Sequence, residues 1–159
     1  MTTLPTDTEA ARFWALIETA WERTGSGSRR ALLDGEFDDD ILGRFVDALR
    51  SLSTDFTSAE LTALDRVAER ALYDIDRADI QEITDGSDDG FLYARGFIVA
   101  MGREYYEAVR ADPEAALPDA ESEEMCYFFA HLHDKLYGDF PDTGSGISRE
   151  TASNPAGWS

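Results

Sequence analysis

The segment from Phe91 to Gly102 constrains the fold most. It is the most apolar stretch of the chain. Projected as a helix at about 100° per residue, it places Phe91, Ala94, Ile98, Gly102, Tyr105 and Val109 on one stripe. Phe97 and Met101 carry apolar surface onto a second side, so this helix needs neighbours on several faces. Ser87 precedes it as an N-cap, and Asp88 and Asp89 place negative charge in the first turn, where the helix dipole favours it. The helix is expected to run to about Ala111 and to stop before Asp112-Pro113. Gly96 and Gly102 each cost roughly 1 kcal/mol against alanine in a helix. Their presence calls for close approach by another helix, or for room around Arg95 or a ligand.

The flanking segments supply helices to pack on it. Thr6-x-x-Glu9 and Thr57-x-x-Glu60 are capping boxes, each opening a run with apolar residues at helical spacing. The first run carries Phe13, Ile17, Ala20 and Trp21; the second carries Leu61, Leu64, Val67, Ala68, Ala71 and Leu72. Between them, Asp38-Asp39-Asp40 leads into Ile41, Leu42, Phe45, Val46, Leu49 and Leu52. A short helix fits Asp76 to Ile83. A last one begins near Ser122 with Met125, Phe129, Leu132 and Leu136 on its stripe. No segment alternates with period two, and no Asn-Gly hairpin signal occurs. The expectation is an all-α fold: a single-domain, irregular bundle of five to six helices over residues 6–138, followed by an extended Gly/Ser/Pro-rich tail, 139–159. Residues beyond about Asp139 are expected to contribute little to the core, although Ile147 and Trp158 offer anchors.

Charge narrows the partners. Thirty-three acidic residues face 14 basic ones, a net charge of −19. This repels phosphate backbones and anionic lipid, so the expectation is no nucleic acid, no membrane, and at most a basic protein partner. Lys135 is the only lysine among those 14 cations, which fits GC-rich codon usage. Cys126 is the only cysteine, so no intrachain disulfide forms, and a reducing cytoplasm is expected. The start, Met1 to Pro5, lacks the basic and apolar regions of a signal peptide. The longest uncharged apolar run, Gly96 to Gly102, is too short to cross a bilayer.

Arg95 is the residue that needs a physical reason. It falls within about 40° of Phe91 on the apolar stripe, and a buried guanidinium must find acceptors. Asp88, two turns back on nearly the same bearing, is the expected partner. The alternative is a polar hole facing a small ligand, with Asp88, Asp89, Arg95 and Arg103 as candidate ligand-binding residues. No carboxylate spacing matches a calcium loop, so no metal is expected there. Along the last helix, His131 and His133 point about 200° apart and cannot share an ion; Cys126 and His133 read as core-edge and semi-exposed residues. No nucleophile elbow, dinucleotide fingerprint or P-loop is present, and no cofactor is expected.

Gly86-Ser-Asp-Asp-Gly-Phe91, Arg95-Gly-Phe-Ile98, Gly102-Arg-Glu104, Tyr106-Glu-Ala108 and Asp112-Pro113 together resemble the signature of a bacterial family, domain of unknown function 4240. Its members typically begin with a Phe-Trp-x-Leu-Ile-Glu segment, matched by Phe13 to Glu18. The resemblance covers roughly residues 10 to 137. The chain departs just upstream of the signature: the family usually carries an apolar, Trp-containing segment and an Asn-Gly-Gly there, whereas Asp74 to Thr84 is charged. The resemblance implies a fold and no activity. Two functional readings follow from the residues. The first is a soluble, acidic, non-enzymatic binding or regulatory module, with an immunity-type role as one version. The second is a small-molecule-binding protein or enzyme using a polar pocket at Ser87-Asp88-Asp89-Gly90-Phe91.

Overall fold

The structure is a computed structural model, and it describes residues 2–25, 27–84 and 86–158. Among these residues there are ten α-helices, one 3-10 helix and no strand, so the fold is all-α. The helices are α1 (Asp7–Thr24), α2 (Ser28–Leu33), α3 (Asp39–Ser53), α4 (Ser58–Asp74), α5 (Ala78–Thr84), α6 (Asp88–Ala100), α7 (Arg103–Ala111), α8 (Glu123–Cys126), α9 (Phe128–Tyr137) and α10 (Pro155–Trp158). The 3-10 helix is Pro113–Ala115.

The starts follow the sequence closely. Thr6 Oγ1 accepts from the Glu9 N–H at 3.1 Å, and Glu9 Oε1 accepts from the Thr6 N–H at 2.9 Å, which is a complete capping box. Thr57 and Glu60 repeat it at 3.1 and 3.0 Å. Asp38 caps α3 by accepting from the Asp40 N–H, and Ser87 caps α6 by accepting from the Gly90 N–H.

The ends depart from it. The long central helix expected over residues 88–111 is two helices, α6 and α7. Met101 closes α6, and Gly102 stands at φ +99°, a left-handed conformation that glycine alone adopts without strain. Gly96 has the other reason anticipated: a Cβ there would lie 2.4 Å from the Ser122 carbonyl oxygen and 2.7 Å from Cys126 Sγ. The glycine lets α6 and α8 touch. The last helix is also interrupted, at Tyr127 (φ −131°, ψ 27°), which separates α8 from α9. On its expected stripe Met125, Phe129 and Leu132 are buried and Leu136 is exposed.

The chain divides into two compact units. The first comprises residues 1–67 and 127–146, with α1, α2, α3, the start of α4, and α9. Its core is aromatic. Trp21 stacks on Phe45 with ring centres 4.3 Å apart, and Phe13 meets Phe129 at 5.9 Å. Ile17, Leu49 and Leu61 are fully buried beside them.

The second unit comprises residues 68–126 and 147–159, with the end of α4, α5 to α8, the 3-10 helix and α10. Here α6 packs on α5, α7 and α8, as a helix apolar on several sides must. Phe91, Phe97, Ile98, Ile75, Ile80 and Val109 are buried in it. The C-terminal residues 147–158 belong to this unit, and they frame the site described next.

Candidate functional site

Three of the last four carbonyls of α4 lead to the site. A helix leaves these carbonyls without intrahelical partners, and the helix dipole concentrates negative potential on them. The Ala71 carbonyl accepts from Tyr106 Oη at 2.6 Å. The Leu72 carbonyl accepts from Arg95 Nη1 at 3.0 Å. The Tyr73 carbonyl accepts from Asn154 Nδ2 at 2.9 Å. So α4 ends on side chains from α7, α6 and the C-terminal segment.

This arrangement explains how an arginine sits at 0 % exposure. Its guanidinium faces the negative end of a 17-residue helix, lies 4.8 Å over the Phe91 ring, and donates to Thr151 Oγ1 at 3.3 Å. Thr151 Oγ1 in turn donates to the Asp88 backbone carbonyl. Asp88 therefore meets Arg95 through its main chain, by way of the Thr151 hydroxyl. Its carboxylate is solvent-exposed at the start of α6, which corrects the expected Asp88–Arg95 pairing.

Asp76 is the second buried charge, also at 0 % exposure. Its carboxylate accepts from the backbone N–H groups of Ala152 (3.0 Å), Ser153 (2.8 Å) and Asn154 (3.0 Å), and from Trp158 Nε1 (2.9 Å). Consecutive N–H groups converge on one anion because the chain turns there, with Ala152 at φ +68°. Trp158 then meets Phe91 edge-on at 6.2 Å. Arg149, 5 % exposed, donates to the Cys126 carbonyl at the end of α8 and approaches Glu69 Oε2 at 3.4 Å. Residues 149–158 are thus pinned by side chains along their length. The expectation that the tail contributes little to the core does not hold for them.

Arginine recurs as a helix terminator. Arg95 serves α4, Arg149 serves α8, and Arg77 Nη1 donates to the Arg110 carbonyl at the end of α7. A planar fork with five donors suits that task, and a lysine ammonium does not reproduce it.

The four candidate residues do not converge. Arg95 is buried, while Asp88, Asp89 and Arg103 are exposed. Asp88 opens α6 and Arg103 follows its end, so they stand about 20 Å apart along the helix axis at 1.5 Å per residue. Sequence reasoning missed Asp76, Arg149 and Thr151, because their partners lie tens of residues away and no local spacing announces them. Cys126 is buried, with Sγ 3.3 Å from the Leu92 carbonyl, and burial pushes its thiol pKa up to about 12. His131 is exposed between the Tyr127 and Phe140 rings. His133, expected to be semi-exposed, is 4 % exposed. Among the described residues, no three His, Cys, Asp or Glu side chains are grouped to hold a metal ion. No helix among them is long and apolar enough to cross a membrane.

The geometry defines an all-α protein in which the buried Arg95 is engaged by the chain's own carbonyl, hydroxyl and ring, and the buried Asp76 by the chain's own N–H groups. The chain belongs to the family described as protein of unknown function (DUF4240), whose model matches residues 9–138. Searches of curated proteins and of solved structures gave no match.

Proposed function

We propose that this protein is a binding module of the bacterial cytoplasm whose acidic outer surface receives a basic protein partner. The observation that carries the reading is the engagement of Arg95. A ligand pocket at Ser87-Asp88-Asp89 needs that guanidinium to face a ligand, and its Nη1 and Nη2 donate instead to the Leu72 carbonyl and the Thr151 hydroxyl. Recognition then belongs to the surface, where the net charge of −19 selects cationic partners and disfavours nucleic acid. An immunity-type role, in which an acidic protein covers a basic one, is the specific version.

The place that fits best is in the first unit. Ala31, Glu36, Phe37, Asp38, Asp39, Asp40 and Ile41 line an open cavity of about 500 Å³. Phe37 is 51 % exposed amid four carboxylates. An arginine or lysine seated there gains a ring face and carboxylates together. Asp38 caps α3, so Asp39 and Asp40 are the carboxylates to change without harming the fold.

The experiment is a titration of the full chain with an arginine-rich peptide at several salt concentrations. Binding that weakens with salt, and weakens about tenfold in Phe37→Ala or in Asp39→Asn with Asp40→Asn, supports the reading; tenfold corresponds to about 1.4 kcal/mol, the scale of one partly desolvated cation–π contact. Equal binding by these variants removes the site, and no binding at low salt removes the basic partner.

A further inference from the structure

In the first unit the structure joins two residues that lie 75 apart in the chain. Ser58 Oγ and His133 Nε2 are 2.6 Å apart. The other ring nitrogen, Nδ1, lies 2.6 Å from the Asp139 backbone carbonyl oxygen and 3.5 Å from Asp139 Oδ1. A carbonyl oxygen only accepts, so Nδ1 carries the proton. In the neutral imidazole the lone pair is then at Nε2, where it accepts from the Ser58 hydroxyl. That is the protonation state a general base requires in front of a serine nucleophile. The ring is held in place: His133 is 4 % exposed and packs against Tyr137 with ring centres 5.4 Å apart, and Tyr137 Oη donates to the Phe56 carbonyl at 2.6 Å.

The surroundings of Ser58 serve the same chemistry. Ser58 is the first residue of α4, and it is half-buried rather than enclosed. The capping box takes up the N–H groups of Thr57 and Glu60. The N–H groups of Ser58 and Ala59 are the other donors of this first turn, at the positive end of the helix, where an oxyanion is stabilised. Glu60, the acid nearest in sequence, is paired with Arg12. Tyr137, 47 % exposed, lies against the His133 ring and offers apolar surface.

We infer that Ser58 is a nucleophile activated by His133, with Asp139 orienting the imidazole, and that its substrate class is a carboxylic ester with an apolar acyl group. This goes beyond the binding role and is independent of the acidic cavity. Ser58 Oγ attacks the ester carbonyl carbon as its proton passes to Nε2. The bond to the alcohol oxygen breaks, and the alcohol leaves with the proton from Nε2. Water then attacks the acyl-serine, giving its proton to Nε2. The acid is released as Ser58 takes that proton back.

The test labels the full chain with a fluorophosphonate probe and locates the label by peptide mass spectrometry. The expected result is one label, on Ser58, that is absent in Ser58→Ala and forms about a hundredfold more slowly in His133→Gln, the scale of general-base catalysis. An unlabelled wild type overturns the inference, as does an undiminished labelling rate in a folded His133→Gln. Should circular dichroism show His133→Gln to be unfolded, p-nitrophenyl butyrate decides. A stoichiometric nitrophenolate burst lost in Ser58→Ala supports the nucleophile, and equal release by both proteins overturns it.

Discussion

Arg95 shows how a single residue was half legible. Its place on the apolar stripe was readable from spacing alone. Its acceptors were not, because helix-end carbonyls carry no sequence signature and Thr151 lies 56 residues away. Asp88→Asn is therefore expected to change stability by no more than about 0.5 kcal/mol, as an exposed substitution does. Adding it to an Arg95 variant should rescue nothing, and a rescue in thermal melts would restore the direct pairing. Cys126 gives a pH dependence with a definite sign. Its thiol is held protonated by burial, with its pKa raised from 9.0 to about 12. The folded state thus favours the thiol, and stability is unaffected below pH 9 and falls as pH rises from 9 toward 12. Iodoacetamide at pH 8 should leave the native protein unmodified and alkylate it only in denaturant; rapid native alkylation would show an accessible thiolate.

At the scale of elements, starts were more legible than ends. Capping residues are local, so both capping boxes and the Ser87 cap could be read directly. In sequence the break at Gly102 looks like part of a continuous helix, because a glycine at positive φ and a glycine at a close contact look alike. Gly96 is the close-contact kind. Gly96→Ala should cost about 1–3 kcal/mol, the usual penalty of overpacking, since the new Cβ meets the backbone at Ser122. A neutral melt would show that α8 can give way. By composition the Gly-, Ser- and Pro-rich C-terminal segment looks like a tail, and composition does not reveal that one carboxylate, Asp76, collects four donors from it. Truncation after Gly146 strips Asp76 and Arg95 of those partners. Losing hydrogen bonds to charged groups at about 1.5–3 kcal/mol each should lower stability by about 3 kcal/mol or more. Asp76→Asn should reproduce much of that loss. A truncated chain that melts with the full one would return these residues to the status of a loose tail.

For the whole molecule, the all-α class and the family were legible, and the function was not. The family model ends at residue 138. Yet Tyr73, Asp76, Asp88 and Arg95, which meet the C-terminal segment, lie inside the matched range. The proposed binding role requires this internal group to be structural, with recognition left to the acidic exterior. Thermal unfolding of the full chain carrying Arg95→Ala tests it most directly. Loss of the Leu72 and Thr151 hydrogen bonds, the Phe91 contact and the side-chain volume should cost about 3–5 kcal/mol. In a chain of this size that lowers the melting temperature by roughly 6–20 °C. A folded Arg95→Ala that melts with the wild type, or above it, would contradict the claim and return Arg95 to the role of a ligand-binding residue.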